Sequence, residues 1–238
     1  MPSENPFLFD EGEPRHPLIR PKDAASLILF RRDKDAIRVL MGERASSHVF
    51  LPGHLVFPGG RVEPGDGRLC VMTDLRPKVR AKVAAGTSPA KARALALAAI
   101  RETFEETGFL VGEPSANPLR TRSAAWRAFF DQGVTPSLEA LDFVARAITP
   151  PGRPRRFDAR FFMADAGHIA ARQDNALPGG ELLTPLWLTL AEARAAKVLP
   201  ITRLVLSEVE ARLALLPGES RPVPFFIPQR GKAVIVSL

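Results

Sequence analysis

Within "AAIRETFEETGFLVG" (98–112), Glu102, Glu105 and Glu106 fall inside one helical turn beside Arg101. In a helix, positions i, i+3 and i+4 share one side. Here that side lies opposite Ala96, Leu97, Ile100 and Phe104, which would face a core. Carboxylates held so close repel one another unless water or a counter-charge separates them. A divalent cation relieves that repulsion, and an all-oxygen donor set favours a hard one, Mg2+ or Mn2+. The plainer alternative is a solvated acidic face.

The elements that must position these residues alternate along the chain. A helix is expected from about Ser88 to Thr107, with Thr87 or Ser88 as N-cap, Pro89 in its first turn and Gly108 as its stop. Before it, "DAASLILFRR" (23–32) and "IRVLMGER" (37–44) read as a hairpin joined by "DKDA", and "HLVFPGG" (54–60) as a short strand ending in a glycine turn. After it come a short helix near 123–133, strands at 141–149, 156–165 and 182–190, and helices at 191–197 and 201–216. Mixed strands with interspersed helices predict an α/β (α+β) sandwich rather than a bundle. The expected division is an N-terminal extension (1–22), one domain (23–216) and a Pro-rich C-terminal extension (217–238), both extensions loosely structured.

Composition sets the context. The 238 residues are 45% hydrophobic and 25% charged, which excludes global disorder. No apolar run approaches the roughly 20 residues that span a bilayer, and the first 23 residues lack a signal peptide's basic start and apolar stretch. The single cysteine, Cys70, cannot form an internal disulfide, so a reducing, cytoplasmic setting is expected; Cys70 reads as a small hydrophobe rather than a nucleophile. The net charge of +7 comes mostly from scattered arginines without interleaved aromatics, so nucleic acid is not expected as a partner. The densest basic stretch, "PPGRPRRFDAR" (150–160), offers Arg153, Arg155 and Arg156 to a phosphorylated small molecule.

"FPGGRVEPGD" followed by "RETFEETGF" resembles the Nudix box, G-x5-E-x7-R-E-U-x-E-E-x-G-U, where U is a bulky aliphatic residue. Gly60 takes the first glycine and Asp66 the first glutamate; Arg101, Glu102, Glu105, Glu106 and Gly108 match the second half. Asp66 is a shorter carboxylate than the pattern asks for, and Thr103 and Phe109 replace bulky aliphatics. Residues 67–100 separate Asp66 from Arg101 where the pattern allows seven, so an insertion, about 67–92, must leave the glycine loop close to the helix. An insertion of this kind reads as a lid or specificity element. The interrupted box resembles the coenzyme A diphosphatase branch. "LMGERASSHVFLPGHLVFPGG" supplies Leu40, Arg44, Ala45, Gly53 and Phe57 to Gly60 of that branch's upstream signature, whereas Met41, Gly42 and Val49 depart from it.

The resemblance implies a Nudix-type α/β/α sandwich with a mixed central sheet. It implies hydrolysis of a pyrophosphate bond in a nucleoside diphosphate linked to another moiety. Coenzyme A or acyl-coenzyme A is one substrate class; ADP-ribose, NADH and nucleotide sugars are the alternatives. Metal would be held by Glu102, Glu105 and Glu106. Arg101 would orient a carboxylate of the cluster, and Gly59 and Gly60 would let backbone approach metal or phosphate. Arg44 would meet substrate. The base would be Glu181, six residues before Trp187, or a helix glutamate such as Glu102 or Glu105. His48 and His54, with no partner pattern, do not read as ligands. A binding-only Nudix-like regulatory domain is the reading of another class; it would be expected to lose one or more of the glutamates. A homodimer is compatible with the resemblance, and no membrane partner is expected.

Overall fold

The protein is described by a computed structural model covering residues 18–44, 53–69, 71, 73–117, 119–173, 185–216, 218–229 and 232–238. Its elements in chain order are β1 (Lys22–Arg32), β2 (Ile37–Glu43), β3 (Leu55–Val56), β4 (Gly59–Arg61), α1 (Pro77–Val83), α2 (Pro89–Thr107), β5 (Phe109–Pro114), α3 (Ala124–Phe130), β6 (Val134–Pro136), β7 (Asp142–Ile148), β8 (Phe157–Asp165), β9 (Ile169–Arg172), β10 (Leu186–Thr189), α4 (Leu190–Ala195), α5 (Pro200–Leu213), β11 (Pro224–Gln229) and β12 (Lys232–Ser237).

A large mixed sheet runs β10-β2-β1-β8-β7-β11-β12, with β3 on β2 and β4 on β1, and a small antiparallel sheet runs β6-β5-β9. β1 lies parallel to β8 and β7 parallel to β11; the other pairings are antiparallel. Strand β1 explains the layering. Leu27 and Leu29 point into one core, shared with α1, α2 and α3, while Ile28 and Phe30 point into the other, beneath α4 and α5. A strand apolar on both faces must be covered on both faces, which gives the expected sandwich of helices about a mixed sheet.

Local signals place the helices. Ser88 caps α2 by accepting from Lys91 N, Pro89 occupies the first turn, and Gly108 closes the helix at φ 75°. Thr189 and Glu192 form a reciprocal capping box at α4.

Two expectations are corrected. Helix α2 has no clean solvent face: Ala94 to Arg101 are all buried, because the sheet lies on one side and α1 and α3 on others. The segment 67–92, offered as a lid or specificity element, also packs into the fold. Its Leu69, Leu75, Val79 and Val83 join the core that α2 covers. The Pro-rich tail is not loose either, for β11 and β12 extend the main sheet beside β7. Phe226 is buried in the α5-side core, and Pro224 and Pro228 stand opposite Ser237 and Ala233 of β12, outside the short register of Phe225 and Phe226 with β7.

Candidate active site

Strand β4 lies on the first half of β1, with Gly60 opposite Ala25 and Gly59 opposite Ser26. This brings the glycines against the glutamate face of α2. The Gly59 amide donates to Glu106 Oε2 at 2.9 Å. A Cβ on Gly59 would collide with the backbone of Ala25 and Ser26, so that position requires glycine for close approach rather than for a special φ, and one on Gly60 would displace the Glu102 carboxylate.

Arg101 organises the cluster from within. Its Nε and Nη2 donate to Asp66 Oδ1 and Oδ2 at 2.9 and 3.1 Å. Its Nη1 spans Glu102 Oε1 and Glu105 Oε2, each at 2.9 Å, and Nη2 also reaches the Arg61 carbonyl at 2.9 Å. The guanidinium is 2% exposed and Asp66 fully buried. Asp66 accepts further from the Glu63 amide and the Trp126 indole Nε1, both at 2.8 Å. The insertion therefore leaves the two halves of the box joined. Asp66 is spoken for by four donors and faces Arg101, not solvent.

Charge and burial act together here. Burial pushes Glu102 up to about 7 although Arg101 pulls it down, and the charge of Glu105 adds to the rise. Burial likewise raises Glu105, against the pull of Arg101, and Glu63 and Asp66 contribute like charge. Burial would lower Arg101, yet the Asp66 hydrogen bond and the surrounding carboxylates raise it, so it remains a cation.

The fit of a divalent metal follows from the donor chemistry. Glu102, Glu105 and Glu106 offer hard oxygens in a patch where three carboxylates already share a single guanidinium. The arrangement differs from the expected triad, however. Among the described residues no three His, Cys, Asp or Glu side chains are poised together around a metal position. Arg101 takes Glu102 and Glu105, and Glu106, 5% exposed, turns to the Gly59 amide instead of outward. With an internal cation in their midst, like-charged side chains gather on it first.

Other predicted residues are spread more widely. Arg44 follows β2, where its amide donates to the His54 carbonyl and its carbonyl accepts from the Gly53 amide. Arg156 donates to the Thr149 and Ile19 carbonyls and so tethers backbone. Glu181, His48, Val49, Ala45 and Cys70 lie outside the described residues. Sequence reasoning missed Trp126, whose only signal was an aromatic-rich helix, and the contact between the Trp187 and Phe109 rings, centroids 6.1 Å apart, at the end of α2.

No protein-family model matches the chain. The crystal structure of a NUDIX hydrolase from Alicyclobacillus acidocaldarius superposes with a TM-score of 0.61 at 27% identity, covering 79% of this chain and 90% of that one. A curated Caenorhabditis elegans protein provisionally named nudix hydrolase 7 is 29% identical over 152 residues, 60% of this chain. The chain spans 43% of that relative's length. In fold and in sequence the chain is thus similar to Nudix hydrolases. Among the described residues no helix is long and apolar enough to cross a membrane.

Proposed function

We propose that this protein is a metal-dependent diphosphatase that hydrolyses a pyrophosphate bond in a nucleoside diphosphate linked to another moiety. The observation that carries the reading is the joining of Asp66, Glu102 and Glu105 on Arg101, against a glycine strand whose amide holds Glu106. Glu102, Glu105 and Glu106 would hold Mg2+ or Mn2+, which supplies charge neutralisation and a more acidic bound water. The chain's own part is to orient and to accept a proton. Arg101, fixed by Asp66, sets the directions of Glu102 and Glu105. Gly59 and Gly60 let β4 lie close against Glu102 and Glu106, and their proposed part in the reaction is close backbone approach to metal or phosphate. A proton from the attacking water goes to a helix glutamate or to Glu181; Glu105 is the helix candidate, being more exposed than Glu102.

Coenzyme A or acyl-coenzyme A is the substrate class that the partial upstream signature favours, with ADP-ribose, NADH and nucleotide sugars as alternatives. Arg44 is the residue proposed to meet the coenzyme A 3′-phosphate. Retention of all three glutamates speaks for turnover over a binding-only role. The test is incubation with Mg2+ or Mn2+ against coenzyme A, acyl-coenzyme A, ADP-ribose, NADH and nucleotide sugars, with products identified by mass. Cleavage at the pyrophosphate of one class assigns the substrate; binding of one class without products would favour the regulatory reading.

A further inference from the structure

Asp66 depends on an element that belongs neither to the glycine strand nor to the glutamate helix. Helix α3 sends Trp126 into the core with no exposure, and its indole Nε1 donates to Asp66 Oδ1 at 2.8 Å, the same oxygen that receives Arg101 Nε. An indole N–H has a single proton and no acceptor role, so its bond fixes where that oxygen can lie. The ring itself is held on several sides: Phe129 and Phe130 lie 5.3 and 5.9 Å away by centroid, and Phe129 in turn meets Phe104 of α2 at 5.3 Å. The indole is therefore wedged between the helix that carries the glutamates and the turn that carries Asp66.

This placement answers a problem that the sequence poses. Asp66 is one methylene shorter than glutamate and is cut off from Arg101 by residues 67–100, so neither reach nor chain proximity holds it on the guanidinium. Its fixed neighbours are the Glu63 amide on one oxygen and Trp126 on the other. With both oxygens pinned, the planar fork of Arg101 has one orientation available, and that orientation sends Nη1 between Glu102 and Glu105.

We propose that Trp126 is a positioning residue: through Asp66 it fixes the Arg101 guanidinium, and through Arg101 the directions of Glu102 and Glu105. Helix α3 thereby sets the carboxylate geometry that an uninterrupted box would set by sequence proximity. The proposal rests on the diphosphatase reading for its functional consequence, and on hydrogen bonding alone for its structural one.

The test is Trp126→Phe, which keeps an aromatic ring in the Phe129–Phe130 cluster, removes the donor and leaves a smaller side chain. Two readouts are taken. Solvent exchange of the Arg101 Nε–H, followed by NMR in the full chain, should quicken by about tenfold or more once Asp66 is loosened. On the substrate that the wild type cleaves, kcat should fall by about tenfold or more with KM little changed, the size seen when a group behind a metal ligand is removed. Trp126 also has its own signal, one of two indole N–H resonances in a chain with two tryptophans, and Asp66→Asn should move it. An Arg101 Nε–H that exchanges at the wild-type rate in Trp126→Phe overturns the proposal, as does an indole signal that ignores Asp66→Asn. Faster exchange in Trp126→Phe, together with a wild type that cleaves no diphosphate, upholds the positioning and sinks the diphosphatase reading instead.

Discussion

Arg101 and Asp66 form a two-pronged buried ion pair, Nε on Oδ1 at 2.9 Å and Nη2 on Oδ2 at 3.1 Å, although residues 67–100 separate them along the chain. Only a planar guanidinium can hold both Asp66 oxygens and still reach Glu102 and Glu105. Arg101→Lys keeps the charge and loses the fork, leaving buried carboxylate oxygens without donors. Unfolding in urea should show a loss of about 3 kcal/mol. Wild-type stability in Arg101→Lys would mean that the pair contributes nothing the ammonium cannot.

Glu105 sits on Arg101 Nη1 and is the more exposed of the two glutamates there. Glu105→Gln preserves shape and hydrogen bonding but removes a negative charge. Turnover with Mg2+ should drop by about 100-fold or more while the melting temperature stays close to wild type. Undiminished turnover would remove Glu105 from the reaction.

The segment inserted in the box packs into the core. Leu75 is 2% exposed in the core between α1 and α2. Leu75→Ala should cost about 2–5 kcal/mol by chemical denaturation, and replacement of 67–92 by a short loop should abolish folding rather than retune substrate choice. A folded, active deletion with altered preference would favour the lid reading.

Much of this was legible beforehand, and the reasons are local. Ser88, Pro89 and Gly108 bound α2, the charged turn after Arg32 marks the first hairpin, and the glutamate spacing marks the site. What sequence could not give is tertiary. The alanines of α2 read as one face, but their small size lets α1, α3 and the sheet close in together, so the helix is buried nearly all round. The glutamates were expected to gather outward, whereas Arg101 and the Gly59 amide draw them inward. The tail's prolines suggested a loop, yet the apolar run Phe225–Ile227 within "PFFIPQ" pairs with β12 and touches β7. Trp126 carried only the signal of an aromatic-rich helix, since its partner lies sixty positions earlier in the chain.

Away from the site, Asp158 links β8 to β7 through Arg146 Nη2 at 2.7 Å and lies beside Arg160, itself 1% exposed. Burial would raise Asp158, but the hydrogen bonds and charges of Arg146 and Arg160 outweigh it and hold the carboxyl below its usual range. A folded-state value below the unfolded one, about 3.9, stabilises the protein above that pH and ceases to do so as pH falls through the folded value. Asp158→Asn should therefore be destabilised by about 3 kcal/mol at pH 7, and the gap to wild type should shrink as the pH drops below about 4. A gap that stays constant down to acid pH would show that the charge on Asp158 is immaterial.

If Arg44 meets a 3′-phosphate, Arg44→Ala should raise KM for coenzyme A over that for its dephosphorylated analogue by about 1.5–3 kcal/mol, the worth of one charge-assisted contact. Equal changes for the two substrates would move the assignment to ADP-ribose, NADH or nucleotide sugars.

The central claim is that the carboxylates gathered on Arg101 serve a metal-dependent attack of water on phosphorus. Hydrolysis in 18O-labelled water, with and without EDTA, tests it most directly. The account predicts metal-dependent cleavage with one 18O atom in one of the two phosphate-bearing products, abolished by EDTA and by Glu105→Gln. Label appearing in neither phosphate, or cleavage that persists in EDTA, would contradict it.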